Sequence, residues 1–98
     1  MGALDVKKFA DRKTERLFMA EGGFKGVPPD VAQRAHNKLR IVARISQLHD
    51  LVMFPGLRPE LLKGSRKGQY SIRVNDQWRI CFKWNGQETY EIEFVDYH

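Results

Sequence analysis

With 98 residues, the chain has room for one compact domain, residues 1–98, and none for a second core or a long catalytic insertion. A hydrophobic share of 42%, with two Trp, six Phe and three Tyr, excludes a disordered chain, and no run nears the ~18 apolar residues of a membrane span. Seventeen Lys and Arg against twelve Asp and Glu leave a formal charge of +5, which favours a polyanion or an acidic protein as partner.

The only cysteine, Cys81, has no second thiol for an internal disulfide or a thiolate metal site, which fits a reducing compartment. The N-terminal stretch is too charged for a secretory signal, and Val6 stands where a myristoylation motif needs Ser or Thr. A cytoplasmic protein without membrane attachment is therefore expected.

In chain order, a brief strand is expected near residues 5–9. Asp11 is placed to cap a short helix running to about residue 21, with Thr14, Leu17 and Phe18 on one side and Gly22-Gly23 ending it. Gly26-Val27-Pro28-Pro29-Asp30 is a helix entry, because proline already has the φ of a first turn and the Asp30 carboxylate suits the positive end of the dipole. Val31, Ala35, Leu39, Val42, Ile45 and Leu48 then recur every three or four residues, the stripe of an amphipathic helix. Its other face carries Arg34, Lys38, Arg40 and Arg44, a pattern shared by solvated basic faces and RNA-contacting ones; Arg40 and Arg44 are candidate RNA contacts.

Phe54-Pro55-Gly56 breaks the helical period, and residues 61–68 read as a loop rich in Lys and Gly. Within it Lys63-Gly64-Ser65 has the look of a P-loop tail, but the upstream glycine and preceding strand are missing, so nucleotide binding by that route is set aside. From Gln69 the period switches to two. Tyr70, Ile72 and Val74 alternate with Ser71 and Arg73; Trp78, Ile80, Phe82 and Trp84 alternate with Arg79, Cys81 and Lys83; Tyr90, Ile92 and Phe94 alternate with Thr89, Glu91, Glu93 and Val95. These runs predict an antiparallel meander with one face on the helices and one face open, an α+β fold.

Residues directly opposite across an antiparallel pair share a face, so apolar must meet apolar. A three-residue turn at Asn75-Asp76-Gln77 sets Val74 against Trp78, Ile72 against Ile80 and, on the open face, Arg73 against Arg79. Like charges so placed repel unless an anion or a carboxylate sits nearby. The same logic across Asn85-Gly86-Gln87 sets Glu93 opposite Arg79 and Glu91 opposite Cys81, which offers an internal ion pair as one resolution. The other is an RNA phosphate, bound by planar guanidiniums with Lys63, Arg66 and Lys67 enlarging the patch. The chain closes on Asp96-Tyr97-His98. Held beside the arginines, His98 offers a group titrating near neutrality, Asp96 one that orients it, and Tyr97 a ring for stacking or a proton donor. RNA cleavage by 2′-hydroxyl attack needs those functions and cations to stabilise the phosphorane; it needs no metal.

The stretch Leu62-Lys63-Gly64-Ser65-Arg66-Lys67-Gly68-Gln69-Tyr70-Ser71-Ile72-Arg73-Val74-Asn75-Asp76-Gln77-Trp78-Arg79-Ile80, followed by Asp96-Tyr97-His98, closely resembles the HigB-like plasmid-maintenance killer toxins of the RelE/ParE superfamily. The resemblance implies a RelE-like fold, two N-terminal helices packed on one face of a small, curved, mainly antiparallel sheet. It implies the toxin of a type II toxin-antitoxin system, a ribosome-dependent mRNA endonuclease without cofactor. The implied partners are a HigA-like helix-turn-helix antitoxin, the 70S ribosome with mRNA in its A site, and operator DNA reached only through the antitoxin. The family's catalytic positions correspond to Lys63, Arg79, Asp96, Tyr97 and His98, with Arg73 added from the register. Glu60 departs from the pattern: studied relatives carry histidine three positions before the motif lysine, and a carboxylate acting there as base has a lower resting pKa. His36 and His49 are expected to be structural or surface groups. The alternatives are a ParE-like toxin that inhibits gyrase by binding it, for which the terminal Asp-Tyr-His has no use, and a non-catalytic RNA-binding module.

Overall fold

Local sequence signals set the helical half of the computed structural model, which describes residues 7–21 and 24–97. Asp11, in extended backbone, accepts from the Thr14 N–H at 2.8 Å and so caps helix α1 (Arg12–Phe18), satisfying one of the amides that a helix start leaves without a partner. The helix ends at Phe18 rather than near residue 21. Ala20 adopts φ +58°, its N–H donates to the Leu17 carbonyl, and the Glu21 N–H donates to the Arg16 carbonyl at 3.0 Å. This is a Schellman closure with alanine in the seat that glycine usually fills. The expected stop at Gly22-Gly23 lies outside the described residues.

Helix α2 (Pro29–Val42) begins as the sequence implies, with Pro29 and Asp30 in its first turn, and buries Val31, Ala35, Leu39 and Val42. The apolar stripe outlasts the helix. Ile45 is buried in the connection, and Leu48 opens a 3₁₀ helix (Leu48–Met53) whose Leu51 is fully buried. His36 ties the two helices together by donating its Nδ1–H to the Leu17 carbonyl at 2.9 Å, while His49 is exposed. Among the described residues no helix is long and apolar enough to cross a membrane.

Strands β1 (Glu60–Leu61), β2 (Tyr70–Arg73), β3 (Trp78–Trp84) and β4 (Thr89–Asp96) form one antiparallel sheet in that order. The segment read as a loop at residues 61–68 in fact begins inside β1. Glu60 pairs with Ser71 and Leu61 with Tyr70, and a 3₁₀ turn (Gly64–Arg66) returns the chain to β2. Phe9 makes a parallel bridge to Ile92 beyond β4; Asp5 and Val6, the start of the strand expected there, lie outside the described residues.

Between β2 and β3 the register is the expected one, with Ile72 on Ile80 and Arg73 on Arg79. Between β3 and β4 it is not: Arg79 pairs with Val95 and Cys81 with Glu93. Two displacements cause the difference. Trp84 pairs with Thr89, so the turn takes in Glu88, and the Asn85 side chain accepts from the amides of Gln87 and Glu88, each at 2.9 Å. A bulge follows, in which Phe82 faces both Glu91 and Ile92 and Glu91 adopts φ +48°. The longer turn alone would send every later side chain of β4 to the wrong face; the bulge shifts the strand once more and restores Ile92 and Phe94 to the core. Tyr90, expected on the core face, instead pairs with Lys83 on the other, and Thr89 is the buried residue.

The core is a single cluster in which Ile72, Ile80, Phe82, Ile92 and Phe94 meet Leu17, Val31, Ala35, Leu39, Val42 and Leu51. Each of these side chains apart from Ala35 contributes about 1.5–3 kcal/mol on burial. Its two threonines are satisfied: Thr89 donates its hydroxyl to the Val42 carbonyl at 2.8 Å, and Thr14 Oγ1 accepts from the Phe94 N–H at 2.9 Å.

Candidate active site

Strand alternation sends Ser71, Arg73, Arg79, Cys81, Glu93 and Val95 to the face turned away from the helices. In register across the four strands lies a row of Glu60, Ser71, Cys81 and Glu93. Arg79 stands two residues along β3 from Cys81, so its long side chain reaches diagonally over Ser71 to Glu60. Its Nη1 donates to Ser71 Oγ at 2.9 Å and to Glu60 Oε1 at 2.8 Å. The Tyr97 ring lies 5.0 Å from the guanidinium carbon, a cation–π contact. Tyr97 is itself pinned, its N–H donating to the Gln77 carbonyl at 2.7 Å. The guanidinium is thus oriented by a carboxylate, a buried hydroxyl and an aromatic ring, while no bond among the described residues uses its Nε and Nη2 donors.

Glu93 does not neutralise Arg79, which is one of the two resolutions the expected register offers. It accepts instead from Arg66 Nη1 at 3.2 Å, and the same nitrogen donates to Gln69 at 3.0 Å. The β1–β2 connection therefore folds Arg66 across the sheet toward β4. Beneath it Cys81 is fully buried. Burial pushes its thiol pKa up, against the opposing pull of Arg66, the Ser71 hydrogen bond and Arg79, with Glu93 adding to the rise. Cys81 is a neutral floor to the site and not a nucleophile.

Arg73 lies opposite Arg79 as expected, yet the two charges are separately matched. Arg73 ion-pairs with Asp76 and donates from Nε to the Asn75 carbonyl at 3.3 Å, which turns it toward the β2–β3 turn. Lys63 and Lys67, on the β1–β2 connection, are exposed. Asp96 pairs with Trp78 and so belongs to the Phe94 side of β4, where its Oδ2 accepts from Gln77 Nε2 at 3.1 Å. Alternation therefore separates Asp96 from Arg79 and Tyr97, which the sequence placed together. His98 lies outside the described residues. Arg40, on α2, and Arg44, just past its end, are exposed and lie across the sheet from Arg79, so the structure does not join them to this face. Among the described residues no cluster of three or more His, Cys, Asp or Glu could hold a metal ion.

Two partners of Arg79 escaped the sequence reading. Ser71 could have been found by extending the β2–β3 register two residues, which sets a small hydroxyl diagonal to Arg79. The Glu60 contact could not, because a two-residue strand leaves no periodic signal.

Residues 7–98 match the family model described as the RelE-like toxin of the type II toxin-antitoxin system HigB. The chain is similar to the endoribonuclease HigB of Proteus vulgaris, 31% identical over 94 residues that cover 95% of this chain and 99% of the relative. It is also similar to the toxin HigB-1 of Vibrio cholerae, 34% identical over 77 residues, 79% of this chain and 81% of the relative.

Proposed function

The chain belongs to the HigB-like family, RelE-like toxins of type II toxin-antitoxin systems, and from that premise we propose that it arrests translation by cutting messenger RNA in the A site of the 70S ribosome. It is an endoribonuclease toxin, in keeping with its similarity to the Proteus vulgaris protein. The observation that carries the reading is the held guanidinium of Arg79, oriented by Glu60, Ser71 and Tyr97 on the sheet face away from the helices.

A phosphate placed on the free edge of that fork would receive two parallel charge-assisted hydrogen bonds, which strengthen as negative charge builds on the phosphorane. The 2′-hydroxyl of the same nucleotide loses its proton to a base and attacks phosphorus; a 2′,3′-cyclic phosphate forms and the 5′-oxygen leaves, taking a proton from an acid. Glu60, hydrogen-bonded to the phosphate-binding guanidinium, is the base in this scheme. His98, the residue after Tyr97 in the chain, is the acid. Tyr97 steadies Arg79 and offers a ring to a neighbouring base. Lys63, Arg66, Lys67 and Arg73 hold flanking phosphates. No step calls for a cofactor.

In the cell, we place the protein in the cytoplasm, paired with a HigA-like helix-turn-helix antitoxin that contacts operator DNA on behalf of the pair. Primer extension on mRNA from cells expressing the wild type is expected to show cuts in phase with codons, absent with Arg79→Ala. Cuts out of phase with the reading frame, or cuts that persist in Arg79→Ala, refute the scheme.

A further inference from the structure

On the helix side of the molecule, a groove of about 690 Å³ runs between α2 and the Leu48–Met53 helix, lined by Asn37, Arg40, Ile41, Arg44, Ile45, Asp50, Met53 and Phe54. Its apolar rim is unusually open to solvent: Met53 is 71% exposed, the adjacent Val52 63% and Phe54 42%. Apolar side chains clustered in this way on a surface mark a contact site more often than a solvated one.

Asp50 is the one carboxylate in the lining, against two arginines that make no ion pair among the described residues. The ion pairs there use Lys8, Arg66, Arg73, Arg79 and Lys83. Arg40 and Ile41 stand in the last turn of α2 and Arg44 and Ile45 just past its end, so cationic and apolar side chains line the same groove. A segment laid in the groove meets both if it carries carboxylates beside apolar side chains.

We propose that this groove seats an acidic amphipathic segment of the antitoxin. The inference rests on the toxin reading above, since a type II toxin has a protein antitoxin as its dedicated partner. RNA is the poorer occupant, because a phosphate backbone would use the arginines and leave the Ile41, Met53 and Phe54 surface uncovered. The seat lies across the sheet from Arg79, so it and the cleavage face can be probed separately.

The test is titration of the purified toxin with its cognate antitoxin by calorimetry. The variants are Met53→Asp, which alters an exposed side chain, and the double variant Arg40→Glu/Arg44→Glu, each with its fold checked by circular dichroism. Both are expected to weaken the complex at least tenfold, and the loss in the double variant to shrink as salt is raised. Met53→Asp should leave mRNA cleavage by free toxin at the wild-type rate. Unchanged antitoxin affinity in both variants overturns the proposal. Cleavage lost in Arg40→Glu/Arg44→Glu with antitoxin affinity intact overturns it in favour of a nucleic-acid surface. A toxin dimer that Met53→Asp dissolves while antitoxin affinity stays intact overturns it in favour of self-association. Absence of mRNA cleavage by the wild-type protein would instead defeat the nuclease reading, and antitoxin affinity is measured independently of it.

Discussion

Replacing Arg79 with alanine separates the catalytic account from a structural one, because the two effects differ in size. For stability, the ion pair to Glu60, whose side chain is 62% exposed, contributes about 0.2–1 kcal/mol. The bond to the buried Ser71 hydroxyl contributes about 0.5–1.5 kcal/mol, and the Tyr97 ring contact about 0.5–1 kcal/mol. The three share one side chain, so the sum of their upper limits, about 3.5 kcal/mol, is a ceiling. A domain with a margin of about 5 kcal/mol, at the low end of the usual range, would then still be roughly 93% folded. Unfolding therefore cannot account for a large loss of activity. Loss of a preorganised donor to the transition state, by contrast, slows chemistry by about 10²–10³-fold, about 2.7–4 kcal/mol. The assay is single-turnover cleavage of mRNA on programmed ribosomes, run beside a thermal melt in which each kcal/mol lost lowers Tm by about 4–8 °C. A melt that falls as expected, with a cleavage rate within about threefold of wild type, would show that Arg79 only braces the sheet.

Four further outcomes follow from the register and the charges. Glu93→Ala should release Arg66 rather than Arg79 and cost cleavage far less than Arg79→Ala, as read in the same single-turnover assay; equal losses would contradict the pairing seen here. Deleting Glu91 removes the bulge yet leaves Ile92 opposite Phe82, Glu93 opposite Cys81 and Phe94 opposite Ile80, so a folded protein is expected by circular dichroism; an unfolded chain would contradict the bulge assignment. Glu91→Gly keeps the bulge, relieves φ +48° and gives up the exposed pair with Lys83, and its urea midpoint should correspond to a change within about 1 kcal/mol. The Cys81 thiol, raised by burial above its ordinary value of 9.0, stays protonated in the folded chain at pH values where the unfolded chain has ionised. Its contribution is therefore fully present below pH 9.0 and is lost as pH rises toward the folded value. Urea melts at about pH 8 and about pH 10 should show a steeper alkaline decline for wild type than for Cys81→Ala; parallel declines would contradict it.

Much of the molecule was legible because its signals are local. Asp11 and Pro29 announce helix starts through backbone geometry and hydrogen bonds within a few residues. The period-two runs fixed three strands, and the short Asn75-Asp76-Gln77 turn left one register for β2 and β3, which brought Arg73 opposite Arg79. The motif around Lys63 and Arg79 carried the family. Tertiary structure decided what depends on displacement and reach. Register after the second turn is the sum of turn length and bulge, and a bulge shows no periodic signature, so the expected register set Glu93 opposite Arg79 when it lies opposite Cys81. The two residues of β1 exist as a strand only because β2 offers an edge to pair with, and that pairing carries Glu60 to Arg79. Sequence spacing determines which face a strand residue occupies; which partner it meets there depends on offsets accumulated along the whole chain, and these are settled only when the sheet closes on the helices.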